Sequence, residues 1–191
     1  IAIRTNSSFK MEYVTIQNVH ASGADGAALY LSIPKNQKAE ISNCTITKCY
    51  AERGSALMIS DGSVGDIYVE DSHINYCFSG KGSSQKTGGA IRTYGSTKSS
   101  LYLTNVTFRY NRAFRIKKWN NDWERDGSGG AIFWNARGLE DTKCSIDGCL
   151  FEYNVSDDNG GAIKTQASIE FVGKKTYIQN KKFTLKQLKK L

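Results

Sequence analysis

Short stretches of two-residue alternation recur along this chain and share one design. Leu101-Tyr102-Leu103-Thr104 puts Leu101 and Leu103 on one side, and the phase then slips at Asn105 so that Val106 and Phe108 return to that side. The same columns hold Ala39, Ile41, Cys44 and Ile46 in an earlier copy, and Ile67, Val69, Ser72 and Ile74 in the next. A later copy has Cys144, Ile146, Cys149 and Phe151. Alternation over a few residues marks a half-buried strand, not a helix. The slips fall at Asn43, Asp71, Asn105 and Gly148. These residue types tolerate the left-handed or turn backbone of a sharp corner between two strands.

Two further phrases punctuate the pattern. A glycine-small-alanine-aliphatic cluster opens at Gly26, Gly54, Gly88, Gly129 and Gly160. Before each stands an aliphatic or aromatic anchor followed three residues on by a small residue or Asn: Ile16 to Val19, Ile46 to Cys49, Ile74 to Cys77, Phe108 to Asn111 and Phe151 to Asn154. A sixth such phrase runs from Tyr177 to Asn180 with no glycine cluster after it. Each repeat therefore reads as strand, corner, strand, loop and a third strand opened by glycine. Such a unit cannot bury its apolar face alone, so the copies must stack in parallel, each coil covering the next. The small triplet predicts a place where neighbouring backbones approach closely. Asn111, Asn154 and Asn180 in one column predict an interior amide ladder that satisfies turn backbone. Stacking also requires Ile46, Ile74, Phe108 and Phe151 to form one internal file.

The spacing is uneven in an informative way. From the alanine of one cluster to the next anchor the gaps are 18, 18, 18 and 20, whereas anchor-to-alanine gaps are 12, 10, 16, 23 and 11. Length variation is thus concentrated at one corner of the coil, which predicts one insertion-bearing face, commonly the binding face of a solenoid. The expected coils are 9–38, 39–66, 67–100, 101–143, 144–166 and 167–180 within a repeat domain 1–180, followed by a tail 181–191.

Composition supports strands and turns: one proline, 18 glycines and ten tyrosines in 191 residues. No apolar run approaches the ~18 residues of a membrane helix. The chain opens at Ile1 without an initiator methionine, which reads as a segment of a longer or processed protein. Of the net charge of +8, seven units come from the lysines after Phe171, a stretch without acids. The repeat body is near neutral and lacks the basic stripe of a nucleic-acid surface. The ending from Phe183 to Leu191 spaces its apolar residues at roughly helical intervals and reads as a short basic amphipathic cap over the last coil, with membrane-surface binding a lesser alternative.

Candidate chemistry concentrates in the longest loop, which carries Arg115, Lys117, Lys118, Trp119, Trp123 and Arg125. Tryptophan and arginine concentrate recognition energy, so this loop is the candidate binding patch, unless Trp119 and Trp123 fold back over the coil. The loop after Ser79 should lie one coil below on the same face. Asp157 and Asp158, with Arg115 and Lys117, resemble pieces of polygalacturonase motifs in reversed chain order, without Gly-His-Gly; the only histidines are His20 and His73. A turn explains the acid pair, and neither catalysis nor a bound Ca²⁺ is expected there. Cys49 and Cys77 share a column on successive coils, within reach of a disulfide, while Cys44, Cys144 and Cys149 fall at inward positions. No cysteine spacing suits zinc. Sequons begin at Asn6, Asn43, Asn105 and Asn154 and are glycosylation candidates if the chain passes through a eukaryotic secretory route; Asn43 and Asn105 share an outward corner column.

The paired phrases Phe108 to Asn111 with Gly129-Gly130-Ala131-Ile132, and Phe151 to Asn154 with Gly160-Gly161-Ala162-Ile163, resemble the repeats of chlamydial polymorphic outer membrane proteins. The third copy has Gly88-Gly89-Ala90-Ile91 but Ile74 and Cys77, and the first two copies are degenerate. The likeness spans Phe9 to Asn180. It implies an all-β, right-handed parallel β-helix of about five to six coils. It also implies exposure at a cell surface, a role in adhesion or as a scaffold, and no catalytic residues. Bacterial members end in a membrane barrel, which this sequence does not show. The expected role is therefore a non-enzymatic extracellular or cell-surface adhesin or scaffold that needs no cofactor. Its partner would be a protein or glycan on another surface. The alternatives are a β-helix subunit docking to neighbours in a large filamentous assembly, and a carbohydrate-active lyase or hydrolase.

Overall fold

The structure is a computed structural model. It describes residues 3–80, 88–95, 97–114, 127–136 and 142–180. Those residues form 23 strands, all paired in parallel, in four sheets, with no helix among them. Sheet I stacks Ile3–Thr5, Leu29–Leu31, Leu57–Ile59, Ile91–Thr93, Ile132–Trp134 and Ile163–Thr165; these are the strands that follow the glycine clusters. Sheet II stacks Phe9–Glu12, Lys38–Ser42, Asp66–Glu70, Leu101–Thr104, Cys144–Asp147 and Ile169–Val172. Sheet III stacks Thr15–Gln17, Thr45–Thr47, His73–Asn75, Thr107–Arg109, Leu150–Glu152 and Tyr177–Gln179. Sheet IV stacks His20–Asp25, Tyr50–Arg53, Phe78–Ser79, Arg112–Ala113 and Val155–Ser156. The chain visits the sheets in the order I, II, III, IV and starts again. The result is a parallel β-solenoid of five full coils and the first three strands of a sixth.

The expected internal file exists. Ile16, Ile46, Ile74, Phe108, Phe151 and Ile178 are register partners along sheet III. The Phe108 and Phe151 rings lie 4.8 Å apart and 4° from parallel, the spacing of the stacked strands themselves. One detail differs from the sequence reading. In the sixth copy the inward residue is Ile178, and Tyr177 faces out opposite Leu150, because Thr176 already occupies the preceding column. A fourth sheet is also present where the sequence suggested only a loop. Its later strands are two residues long, with small inward residues (Ser79, Ala113, Ser156), too few for alternation to show.

The two corners flanking sheet III share one device. Asn43, Asp71, Asn105 and Gly148 have φ of 52°, 45°, 53° and 61°, as their residue types predicted. The second corner uses Lys48, Tyr76, Tyr110 and Tyr153, at 53°, 53°, 54° and 56°, which no propensity would suggest. There the rings stack outside the solenoid: Tyr76 on Tyr110 at 4.9 Å, and Tyr110 on Tyr153 at 5.1 Å. Ring stacking along the axis offsets part of the left-handed strain. At each corner the next residue turns inward, and its amide needs a partner.

A side-chain ladder supplies that partner. The Cys77 amide donates to Asn111 Oδ1 (2.9 Å), the Asn111 amide to Asn154 Oδ1 (3.1 Å) and the Asn154 amide to Asn180 Oδ1 (2.9 Å). The Asn111 carboxamide donates to the Ile74 carbonyl (2.7 Å) and that of Asn154 to the Phe108 carbonyl (2.9 Å), so both amides are fully engaged inside the core. In the first coils cysteine takes the place of Asn in this column, and the Cys49 and Cys77 thiols donate to the Thr47 and Asn75 carbonyls (3.4 Å each). The other corner has its own version, with the Cys44 amide on Ser72 Oγ (3.0 Å) and the Cys149 amide on Thr176 Oγ1 (3.3 Å). Burial raises the thiol pKa of Cys149 to about 11, and burial pushes that of Cys144 higher still.

The ladder corrects one expectation. Asn154 is 2% exposed with its carboxamide hydrogen-bonded, so it cannot carry a glycan in the folded chain. Asn6 and Asn43 are exposed, and Asn105 is half-buried with its amide donating to Asp71 Oδ1 (3.0 Å). All five cysteines are buried free thiols, Cys49 and Cys77 included. The final partial coil leaves Phe171 56% and Ile178 50% exposed, and the expected cap 181–191 lies outside the described residues.

The glycine clusters sit where coils come closest. A Cβ added at Gly130 would collide with the Gly161 and Val155 carbonyl oxygens, whereas one at Gly161 would find nothing nearer than 3.6 Å. Gly130→Ala is therefore expected to cost roughly 1–3 kcal/mol or more by overpacking, and Gly161→Ala a small fraction of that, measured by urea denaturation. Asn111→Ala leaves the Cys77 amide and the Ile74 carbonyl unpaired in the core. A loss of about 2–4 kcal/mol is expected, to be read in the same assay.

Candidate functional site

The insertion-bearing corner joins sheet IV to sheet I. In the first, second and fifth coils the chain turns it directly: Asp25 leads to Gly26, Arg53 to Gly54, and Val155–Ser156 reaches Gly160 through Asp157-Asp158-Asn159. In the third and fourth coils the segments 81–87 and 115–126 intervene at this position. The two long insertions therefore leave and rejoin the solenoid on successive coils at one corner, as the spacing predicted. A smaller length change falls between sheets I and II, where nine residues separate Trp134 from Cys144 against seven between Thr93 and Leu101.

Backbone hydrogen bonds clamp both rails of this corner. On the departing side, the Phe114 amide donates to the Ser79 carbonyl (2.8 Å) and the Asp157 amide to Ala113 (3.1 Å). On the returning side, Gly88 donates to Ser128 (2.8 Å), Gly89 to Gly129 (2.8 Å) and Gly129 to Asn159 (2.9 Å). Gly129 and Gly160 have φ of 68° and 67°, and a side chain at Gly129 would meet the Ile132 carbonyl. Glycine is required here because the backbone must turn left-handed against its own following strand.

Side chains reinforce the rails. The Arg112 guanidinium pairs with Asp157 (Nη2 to Oδ1 2.7 Å) and lies 4.2 Å from the Phe114 ring centroid, while Phe114 meets Phe78 edge-on at 6.0 Å. The Ser128 hydroxyl donates to Asp158 Oδ2 (3.1 Å), and the Asp158 amide donates to the Gly127 carbonyl (3.1 Å). Asp157 therefore holds the departing end of the longer insertion through an ion pair, and Asp158 its returning end through a hydroxyl. That is the turn role the sequence suggested, with each acid occupied by a neighbour. Among the described residues no three His, Cys, Asp or Glu side chains gather in a way that suits a metal ion.

Beside this corner the outward face of sheet I is covered, which alternation alone did not reveal. Its outward column runs Tyr30, Met58, Arg92, Phe133 and Lys164, in register. Met58 is wholly buried, Arg92 is 7% exposed and Phe133 5%. The Arg92 guanidinium lies 5.5 Å from the Tyr94 ring and 5.9 Å from that of Phe133. Tyr94 also faces the Arg53 guanidinium (5.1 Å), and its hydroxyl donates to Asp25 Oδ2 (2.9 Å), while Arg53 Nε pairs with Asp25 Oδ1 (2.5 Å). This cation–aromatic cluster ties the first, second, fourth and fifth coils together over sheet I. The sequence signal for it was weak: a charged residue at the outward position of a Gly-Gly-Ala-Ile strand.

Arg115, Lys117, Lys118, Trp119, Trp123 and Arg125 all lie outside the described residues. The structure places the ends of their segment, Phe114 and Gly127, on the corner just described.

Residues 148–166 match the family model of the Chlamydia polymorphic membrane protein (Chlamydia_PMP) repeat. That span covers the Phe151 to Asn154 phrase and the Gly160 to Ile163 cluster. Together with the parallel solenoid, the match supports a β-helix repeat of the polymorphic membrane protein type at these residues. No curated protein and no solved structure matches the chain.

Burial, and then the hydrogen bond to Asp25, push the Tyr94 phenol from 10.0 up to about 12. A phenol raised on folding binds its proton more tightly in the native state. Its share of stability is therefore whole below about pH 10 and is lost as the pH climbs toward 12. Ultraviolet titration should show one tyrosine ionising well after the exposed ones, and Asp25→Asn should bring that late step down.

Proposed function

We propose that this chain is a non-enzymatic binding segment of a surface-exposed protein, with the sheet IV–sheet I corner as its recognition face. The observation that carries the reading is that the two insertions that lengthen the repeat most, 81–87 and 115–126, both fall at that corner, on successive coils. A stacked scaffold gains nothing in stability from such insertions. Loops held by rigid rails are where solenoids place binding groups. The likeness of residues 148–166 to a membrane-protein repeat supports a location at the outer surface of a cell. The 115–126 segment supplies two tryptophans and four cations, a composition suited to a protein or glycan surface rich in acids, hydroxyls or exposed sugar faces.

The test compares the chain with a Trp119→Ala, Trp123→Ala double variant on a glycan array and on immobilised cell-surface proteins. Loss of tryptophan anchors is expected to weaken binding about tenfold or more, with an unchanged melting temperature. Binding that survives the double substitution would refute this assignment of the recognition face. Turnover of a polysaccharide that vanishes with Asp157→Asn and Asp158→Asn would refute the non-enzymatic reading.

A further inference from the structure

Two sulfurs in the interior ladder stand in a relation that the rest of the ladder does not share. Cys49 and Cys77 occupy one column on neighbouring coils, immediately before the paired residues Tyr50 and Phe78. The Phe78 amide donates to the Cys49 carbonyl (2.9 Å), which fixes the two backbones at the strand spacing. Parallel in-register strands lie ~4.8 Å apart, inside the Cα separation that a disulfide spans. Both side chains adopt the same orientation: Cys49 Sγ lies 3.4 Å from the Thr47 carbonyl, and Cys77 Sγ lies 3.4 Å from the Asn75 carbonyl. Both residues are completely buried. In the coils above, the same column holds Asn111 and Asn154, which serve the ladder without being able to cross-link it.

We propose that Cys49 and Cys77 form an intrachain disulfide that staples the second coil to the third when the chain folds in an oxidising compartment. The oxidant is a low-molecular-weight disulfide. The thiolate of one cysteine attacks it, forming a mixed disulfide and releasing one small thiolate. The second cysteine then attacks the protein sulfur of that mixed disulfide, forming the Cys49–Cys77 bond and releasing the second small thiolate. Two electrons pass to the oxidant, and the two cysteine protons leave with its two thiols.

Either cysteine can make the first attack while the coils are still open. Both sulfurs are sealed in the closed solenoid, so exchange takes place as the coils close, and the finished bond is then shielded from reductants. Cys44, Cys144 and Cys149 are buried in other columns and stay reduced.

The test refolds the whole 191-residue chain in a glutathione buffer held oxidising, followed by alkylation in denaturant and peptide mass spectrometry without reductant. One linked peptide pair joining Cys49 to Cys77 is expected. The melting temperature should rise by roughly 5–15 °C over the reduced chain, the shift expected for a closed loop of this length, and dithiothreitol should abolish the rise. Cys77→Ser keeps a donor for the carbonyls that the thiol meets and should fold normally, yet lose both the linked peptide and the redox-dependent shift. Cys44→Ser should keep both. If Cys77→Ser fails to fold, Cys49→Ala serves for the same comparison. Full alkylation of all five cysteines after oxidising refolding, or a dominant pair other than Cys49–Cys77, would overturn the proposal.

Discussion

Everything in this molecule depends on vertical registration, each residue sitting over its equivalent one coil away. Parallel backbone hydrogen bonds set the separation, and every side chain must then be compatible with a near copy of itself at that distance. Aliphatic residues satisfy the condition in the inward files of sheets I to III. Phe108 over Phe151 satisfies it by stacking, as does the outer row of Tyr76, Tyr110 and Tyr153. Asparagine satisfies it because its carboxamide accepts from the amide of the coil below and donates to a carbonyl as well. Glycine satisfies it where the separation is too small for any Cβ.

The same constraint explains why the corners look as they do. A left-handed residue at the same place in every coil repeats its strain each time, so something must compensate at each level. Outside, the compensation is a stacked ring or a hydrogen bond such as that from Asn105 to Asp71. Inside, it is a side-chain acceptor for the amide that follows. Cysteine stands in that column in the first coils, where the anchors are isoleucine in place of phenylalanine.

Insertions obey registration as well. They are tolerated only where the rails on both sides remain paired, and the sheet IV–sheet I corner provides this through its clamped backbones and the Arg112–Asp157 and Ser128–Asp158 contacts. A rigid stack can therefore carry variable loops without loss of its core. The covered outer face of sheet I, with Arg92 between Tyr94 and Phe133, extends this reinforced side of the solenoid.

The chain's own pattern was enough to determine the stacking, the inward columns, the Asn43, Asp71, Asn105 and Gly148 corners, the close approach at the glycine clusters and the single insertion corner. These are periodic properties, and periodicity is visible in one dimension. It was not enough for the fourth sheet, whose two-residue strands are too short to alternate. Nor did it show the left-handed tyrosines, whose backbone is dictated by neighbours a coil away, or the shift from Tyr177 to Ile178 in the sixth copy. The Asp25–Arg53–Tyr94 network likewise belongs to the tertiary structure. Each depends on which residue stands above or beside another, a relation that exists only once the coils are stacked.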